Sequence, residues 1–196
     1  MKSVVRFCFV ALMVMQSALA LSQTIEPDAF VEQLVGDLVD AGRNAENAST
    51  GEVLDVSVDF ARIAAGVLGT YRASLSPEQV KEFQDLLKSS FETLIGKALA
   101  TFDQYEFSIG NVRKAQDRAQ VLAIMEPDSG GRYEAVFALA ATDESWIAQN
   151  LTLNGVNLGL TYRNQFAALM EENANDFGAT LEAWSREINS ASGIGE

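Results

Sequence analysis

The chain has no histidine, one cysteine and three prolines in 196 residues, and its 14 basic residues are outnumbered by 27 acidic ones, for a formal charge of -13. Each shortage removes a class of chemistry. Without imidazole there is no Ser-His-Asp or Cys-His nucleophile pair, no His-ligated zinc and no haem on a proximal His. An acidic surface of this kind offers no phosphate-neutralising patch, so nucleic acid is not an expected partner. The lone cysteine, Cys8, allows no disulfide framework and no thiolate metal site.

What is present begins with a leader. Lys2 and Arg6 edge an apolar run that gives way to Gln16-Ser17-Ala18-Leu19-Ala20, the pattern of a secretory signal peptide over residues 1–20 with cleavage after Ala20. Cleavage removes Cys8, Lys2 and Arg6 and leaves 27 acidic residues against 12 basic ones. A thiol-free chain exported to the periplasm is expected, with one domain over 21–189 and a flexible polar tail over 190–196.

Apolar residues recur at helical spacing over 27–45 (Phe30, Val31, Leu34, Val35, Leu38) and again from Val56 through Phe60, Ile63 and Val67 to Leu68. Residues 44–51 between them read as a linker, and Gly69 as a left-handed stop. Ser76-Pro77-Glu78-Gln79 is a helix start with a capping box. The stripe Val80, Phe83, Leu87, Phe91, Leu94 and Phe102 carries that helix for about six turns. The period then falls to two in Tyr105, Phe107 and Ile109, followed by strand-length runs at 119–125, 133–141 and 146–153. Asp128-Ser129-Gly130-Gly131 and Thr142-Asp143-Glu144-Ser145 supply hairpin turns. Helical spacing returns at 158–172 and 175–188. This order predicts an α+β fold, with helices packed over one face of a small, curved, mostly antiparallel four-stranded sheet.

Catalytic groups are hard to find. The carboxylates are scattered or sit side by side on solvated faces, as in Glu171-Glu172 and Asp37 with Asp40, and no Ser-x-x-Lys spacing occurs. Asp55 and Asp59 lack the glycine and distal Glu of a calcium loop. No enzyme activity, cofactor or metal is expected. The informative oddity is the run from Ala135 to Ala141, which uses alanine where strands usually carry branched or aromatic residues. Two readings stay open: a helix packed tightly on the alanines, or a cavity roofed by Leu68, Tyr71, Phe83, Leu87 and Phe91.

Val67-Leu68-Gly69-Thr70-Tyr71, then Ser76-Pro77-Glu78-Gln79 with Phe83, then Gly155-Val156-Asn157-Leu158, then Tyr162-Arg163-Asn164-Gln165-Phe166, resemble in this order the MlaC-type, or toluene-tolerance auxiliary, proteins. The resemblance runs roughly over residues 60–184. Arg72 stands where the family often has an aromatic, and Trp146 is not followed by the family's Val-Asp-Val. The resemblance implies a periplasmic phospholipid carrier of Gram-negative bacteria, acting as a monomer without covalent chemistry. It would shuttle lipid between an outer-membrane MlaA-type lipoprotein complex and the MlaD-type ring of an inner-membrane ABC transporter, maintaining outer-membrane lipid asymmetry. It also implies an apolar pocket for acyl chains. The expected walls are Leu68, Tyr71, Phe83, Leu87, Phe91, Val136, Ala138, Leu151, Leu153, Val156, Leu158, Tyr162 and Phe166. Arg163 is expected either near the headgroup or in a structural ion pair. A carrier of another apolar molecule, of isoprenoid or hopanoid type, and a ligand-free adaptor module are the alternatives.

Overall fold

The computed structural model describes residues 25–43, 49–101, 105–128 and 130–191. The signal peptide assigned to 1–20, most of the 44–51 linker, Phe102 and residues 192–196 of the tail lie outside them. Six helices and five strands follow one another: α1 (Pro27–Arg43), α2 (Thr50–Ser57), α3 (Phe60–Leu68), a 3-10 turn (Gly69–Ser74), α4 (Pro77–Thr101), β1 (Tyr105–Ala115), β2 (Arg118–Pro127), β3 (Tyr133–Ala141), β4 (Trp146–Leu153), β5 (Val156–Asn157), α5 (Leu158–Glu172) and α6 (Phe177–Ala191). The strands form one antiparallel meander in the order β1-β2-β3-β4-β5. The fold is α+β as expected, with a short fifth strand added.

Local chemistry sets the boundaries. At α4 the amide of Ser76 donates to Gln79 Oε1 at 2.9 Å and the amide of Gln79 donates to Ser76 Oγ at 3.2 Å, the reciprocal box legible in the sequence. A second box opens α2, with Ser49 N donating to Glu52 Oε2 at 2.7 Å. That bond holds the Glu52 carboxyl below its usual range. The single helix expected from Val56 to Leu68 is two helices. Val58 is extended and bridges Ala148 on β4, and Asp59 caps α3 by accepting from the amide of Arg62 at 3.0 Å. Gly69 ends α3 at φ +54 and ψ -125, a conformation that L side chains rarely adopt.

Two bulges decide which strand residues look inward. In β1, Ile109 pairs with Ala123 and Val112 with Val121, so one extra residue is absorbed. In β4, Ala138 pairs with Asn150 but Leu139 with Ala148, which leaves Gln149 as the extra residue. The bulge reverses the alternation within β4, so that Trp146, Ala148, Leu151 and Leu153 share one face. That face is the one helices cover, because Ala119, Val121, Ala123, Leu139, Trp146 and Ala148 pack with Phe30, Val31 and Leu34 of α1 and Val53 of α2. The entry to α1 is tied down as well: Trp146 Nε1 donates to the carbonyl of Ile25 at 2.8 Å, and Lys114 pairs with Glu26 at 2.9 Å.

Candidate functional site

The apolar interior has two clusters. The first lies among α3, α4, α5 and α6 and is filled by rings. Phe83 stacks at 4.7 Å from Trp184 and 5.2 Å from Phe166, and Phe166 reaches Trp184 at 5.2 Å and Tyr71 at 6.0 Å. Leu68, Phe83, Leu87 and Phe166 are at most 1% exposed here. The second cluster is the sheet face under α1 and α2. Leu38 and Val58 touch both clusters and form their seam.

Away from α1 the same sheet face changes character. Phe107, Met125, Ala135, Phe137, Leu151 and Leu153 look toward the helices, since they continue the rows of Val121 and Leu139, yet all are only half-buried. The helices explain why. α1 packs closely on β1 and β2, α2, α3 and α5 pack on β4, and α4 packs on other helices, whereas on β3 only Leu139 is buried with the α1 and α2 residues and Ala135 and Phe137 are partly covered. Partial exposure on this row leaves a strip of apolar surface beside the helices. We take this strand row as the candidate floor of an apolar trough. On the helical side, Phe91, Ile95 and Tyr162 belong to or pack against the helical cluster, where Tyr162 meets Phe91 at 6.0 Å and Trp184 at 6.1 Å.

The N-terminus of α5 is fastened to β4 through Asn150, on the row of Ala138. The side chain of Asn157 caps the helix by accepting from the amide of Leu160 at 3.0 Å, and Asn150 accepts from the amide of Gly159 at 3.2 Å. Asn154 and Gly155 both have positive φ (46 and 83), which turns β4 back into β5. Burial pushes the Tyr162 phenol above its usual range, and burial does the same to Tyr105 at the start of β1. A surface of this composition can bury hydrocarbon; it holds no acid-base pair or nucleophile among the residues named. Among the described residues no group of three or more His, Cys, Asp or Glu could hold a metal ion, and no helix is long and apolar enough to cross a membrane.

The expected walls separate accordingly. Leu151 and Leu153 lie on the helix-facing row of β4 and are half-buried, Val156, 53% exposed, continues the row of Leu153, Leu158 opens α5 half-buried, and Phe91 and Tyr162 sit with the helical cluster. Leu68, Phe83, Leu87 and Phe166 belong to the filled helical core instead. Tyr71 sits against Phe166 and lines a separate open cleft of about 560 Å³ with Leu75, Met170 and Phe177. Val136 and Ala138 are corrected outright: Ala135, Phe137 and Leu139 take the inner row, so Val136 and Ala138 point to the solvent side of the sheet. The alanine run therefore roofs nothing at 138, and its inward members are Ala135 and the two larger residues Phe137 and Leu139. Arg163 is exposed and has no ion pair among the described residues. Its guanidinium lies against Gly69, where a glycine Cβ would stand 3.4 Å from Arg163 Nε, beside the carbonyl end of α3. The strand residues Phe107, Met125, Ala135 and Phe137 were not among the expected walls. Their signal was the period-two pattern itself, once its inward parity was known.

Comparisons with known proteins point the same way. A family model described as MlaC protein matches residues 31–186. Toluene tolerance protein ttg2D of Pseudomonas putida is 29% identical over 168 residues, which cover 81% of this chain and 78% of that protein. A phospholipid-binding protein of Ralstonia solanacearum, solved in complex with a phospholipid, has the same fold with a TM-score of 0.72 at 20% identity, over 86% of this chain and 99% of that one.

Proposed function

The chain belongs to the MlaC family, and from that premise we propose that it is a periplasmic phospholipid carrier that holds acyl chains in the trough between sheet and helices. The observation that carries the reading is the row of half-buried apolar residues, Phe107, Ala135, Phe137, Leu151 and Leu153, on a sheet face turned toward helices. The phospholipid bound to the Ralstonia protein of the same fold supports the choice of ligand.

The physics suits the task. Each methylene withdrawn from water is worth about 0.8 kcal/mol, so two long chains carry well over about 20 kcal/mol that must be shielded in transit. A trough whose floor is already half shielded supplies that environment without covalent chemistry. Release then requires a donor and an acceptor that offer comparable apolar surroundings by direct docking, because a carrier moves cargo only where differential affinity permits. An outer-membrane MlaA-type lipoprotein complex and an inner-membrane MlaD-type ring of an ABC transporter are the proposed pair, and the leader over residues 1–20 is the proposed route to the periplasm.

The test is organic extraction and mass spectrometry of the exported chain purified without detergent. Stoichiometric phospholipid is expected. An isoprenoid in its place would redirect the ligand assignment, and a lipid-free extract would favour an adaptor module.

A further inference from the structure

On the premise of the lipid-carrier reading, on which this rests, we infer that the indole N–H of Trp184 is a hydrogen-bond donor for the cargo, and that the acceptor it takes is the ester carbonyl of an acylated lipid. Trp184 is 1% exposed, and its Nε1 is the one buried side-chain nitrogen or oxygen among the described residues without a hydrogen-bond partner. Buried tryptophan nitrogens usually find an acceptor. The other tryptophan of the chain does so, since Trp146 Nε1 donates to the carbonyl of Ile25 at 2.8 Å. An unmade bond at this depth is a standing loss of stability that a phenylalanine would avoid.

Rings surround this indole. The centroids of Phe83, Phe166 and Tyr162 lie 4.7, 5.2 and 6.1 Å from it. Phe83 and Phe166 are fully buried and carry no heteroatom, whereas Tyr162 is partly exposed and its phenol makes no hydrogen bond to the described residues. Of the three rings, Tyr162 is therefore the one through which Trp184 can be approached. One turn earlier on α5 stands Leu158, half-buried, and from there the chain runs back through Val156 to its partner Leu153 on the helix-facing row. A molecule lying along the end of that row reaches Trp184 by way of Leu158 and Tyr162. The Tyr162 ring, held by no hydrogen bond to the described residues, is what must turn aside.

The surroundings select the acceptor. An indole N–H donates and does not accept, so a hydroxyl brought to it would still need a home for its own proton, with the Tyr162 oxygen alone beside it. A carboxylate or phosphate oxygen would lose its hydration among these rings, which is far costlier than burying a neutral group. An ester carbonyl is neutral, accepts without donating, and is joined to the hydrocarbon that an apolar row shields. The contact thus separates acyl esters from isoprenoid hydrocarbons, which bring no carbonyl to Trp184.

The test compares a diacyl phosphatidylcholine with its dialkyl ether analogue, which has the same chains and headgroup but no carbonyls. Nitrogen-15 NMR of the two indole protons is recorded on the exported chain, lipid-free and loaded with each. With the ester, the Trp184 proton is expected to move downfield while that of Trp146, already bonded to Ile25, stays in place; with the ether, Trp184 is expected to stay as well. The ester should bind about fivefold more tightly than the ether, and Trp184→Phe should make the two equal. Should that variant lose its thermal transition, the indole protons of the natural chain decide alone. Equal affinities in the natural chain, or a Trp184 proton that the ester leaves unmoved, would overturn the inference and leave the carrier reading standing. A Trp184 proton already at its bonded position without lipid would assign the partner to an internal water and overturn it too. Failure of both lipids to bind would overturn both.

Discussion

The helical half of the molecule and the far half of the sheet are both apolar and both turned inward, yet they are built to different densities. Among α3, α4, α5 and α6 the rings of Phe83, Phe166, Trp184, Tyr162 and Phe91 meet at 4.7 to 6.1 Å, and Phe83 and Phe166 are fully buried. On the sheet, Phe107, Phe137, Leu151 and Leu153 face helices and remain half-buried. Aromatic stripes on helices can close on one another at any angle, so they fill. On the sheet, α1 and α2 close over Val121, Ala123 and Leu139 but cover Phe107, Phe137, Leu151 and Leu153 only in part. Hydrophobic composition does not separate a core from a binding surface; the match of curvature between layers does.

The largest expected effect comes from emptying the dense half. Phe166→Ala removes a ring at the centre of the aromatic cluster and should lower unfolding stability by about 3–5 kcal/mol, measured by denaturant titration. Phe137→Ala, of the same chemistry on the sheet, should cost less, about 1–2 kcal/mol, because the ring is only partly buried. Equal losses for these two would erase the distinction between the halves. Gly69→Ala probes how the dense half is terminated. The alanine must adopt φ near +54 beside Arg163, so a loss of about 1–2 kcal/mol is expected, seen as a lower Tm.

Tyr162 sits on the boundary, and its effect is the smallest at neutral pH. Burial raises its folded pKa above the ordinary phenol value. A raised pKa means the neutral phenol is favoured in the fold, so the contribution is intact below pH about 10 and is lost as pH rises beyond it. Tyr162→Phe should leave the urea midpoint at pH 7 nearly unchanged and soften the fall in stability from pH 10 to 11. An unchanged alkaline fall would place the phenol in water.

Much of this was readable in the residues. The capping box at Ser76, the helix over 158–172, the two hairpin turns and the α+β order all rest on interactions between residues a few positions apart. The parity of β3 and β4 does not. A period-two pattern states that residues alternate but not which set looks inward, and the extra residue Gln149 changes the answer partway along β4. Leu151 and Leu153 were assigned to the correct face, whereas Val136 and Ala138 were not, because alanine content suggested empty space where register decides. The break between α2 and α3 was equally hidden, since Val58 leaves the helix to bridge Ala148, ninety residues later in the chain.

The most direct test uses neighbours on one strand. Phe137 and Val136 differ by one position on β3 and by the whole thickness of the sheet. Native mass spectrometry of the detergent-free Phe137→Glu and Val136→Glu variants, each checked for its thermal transition, compares their lipid content. Loss of the phospholipid adduct in Phe137→Glu with retention in Val136→Glu is the predicted result. Retention in Phe137→Glu, or loss in Val136→Glu alone, would contradict the placement of the acyl chains between sheet and helices.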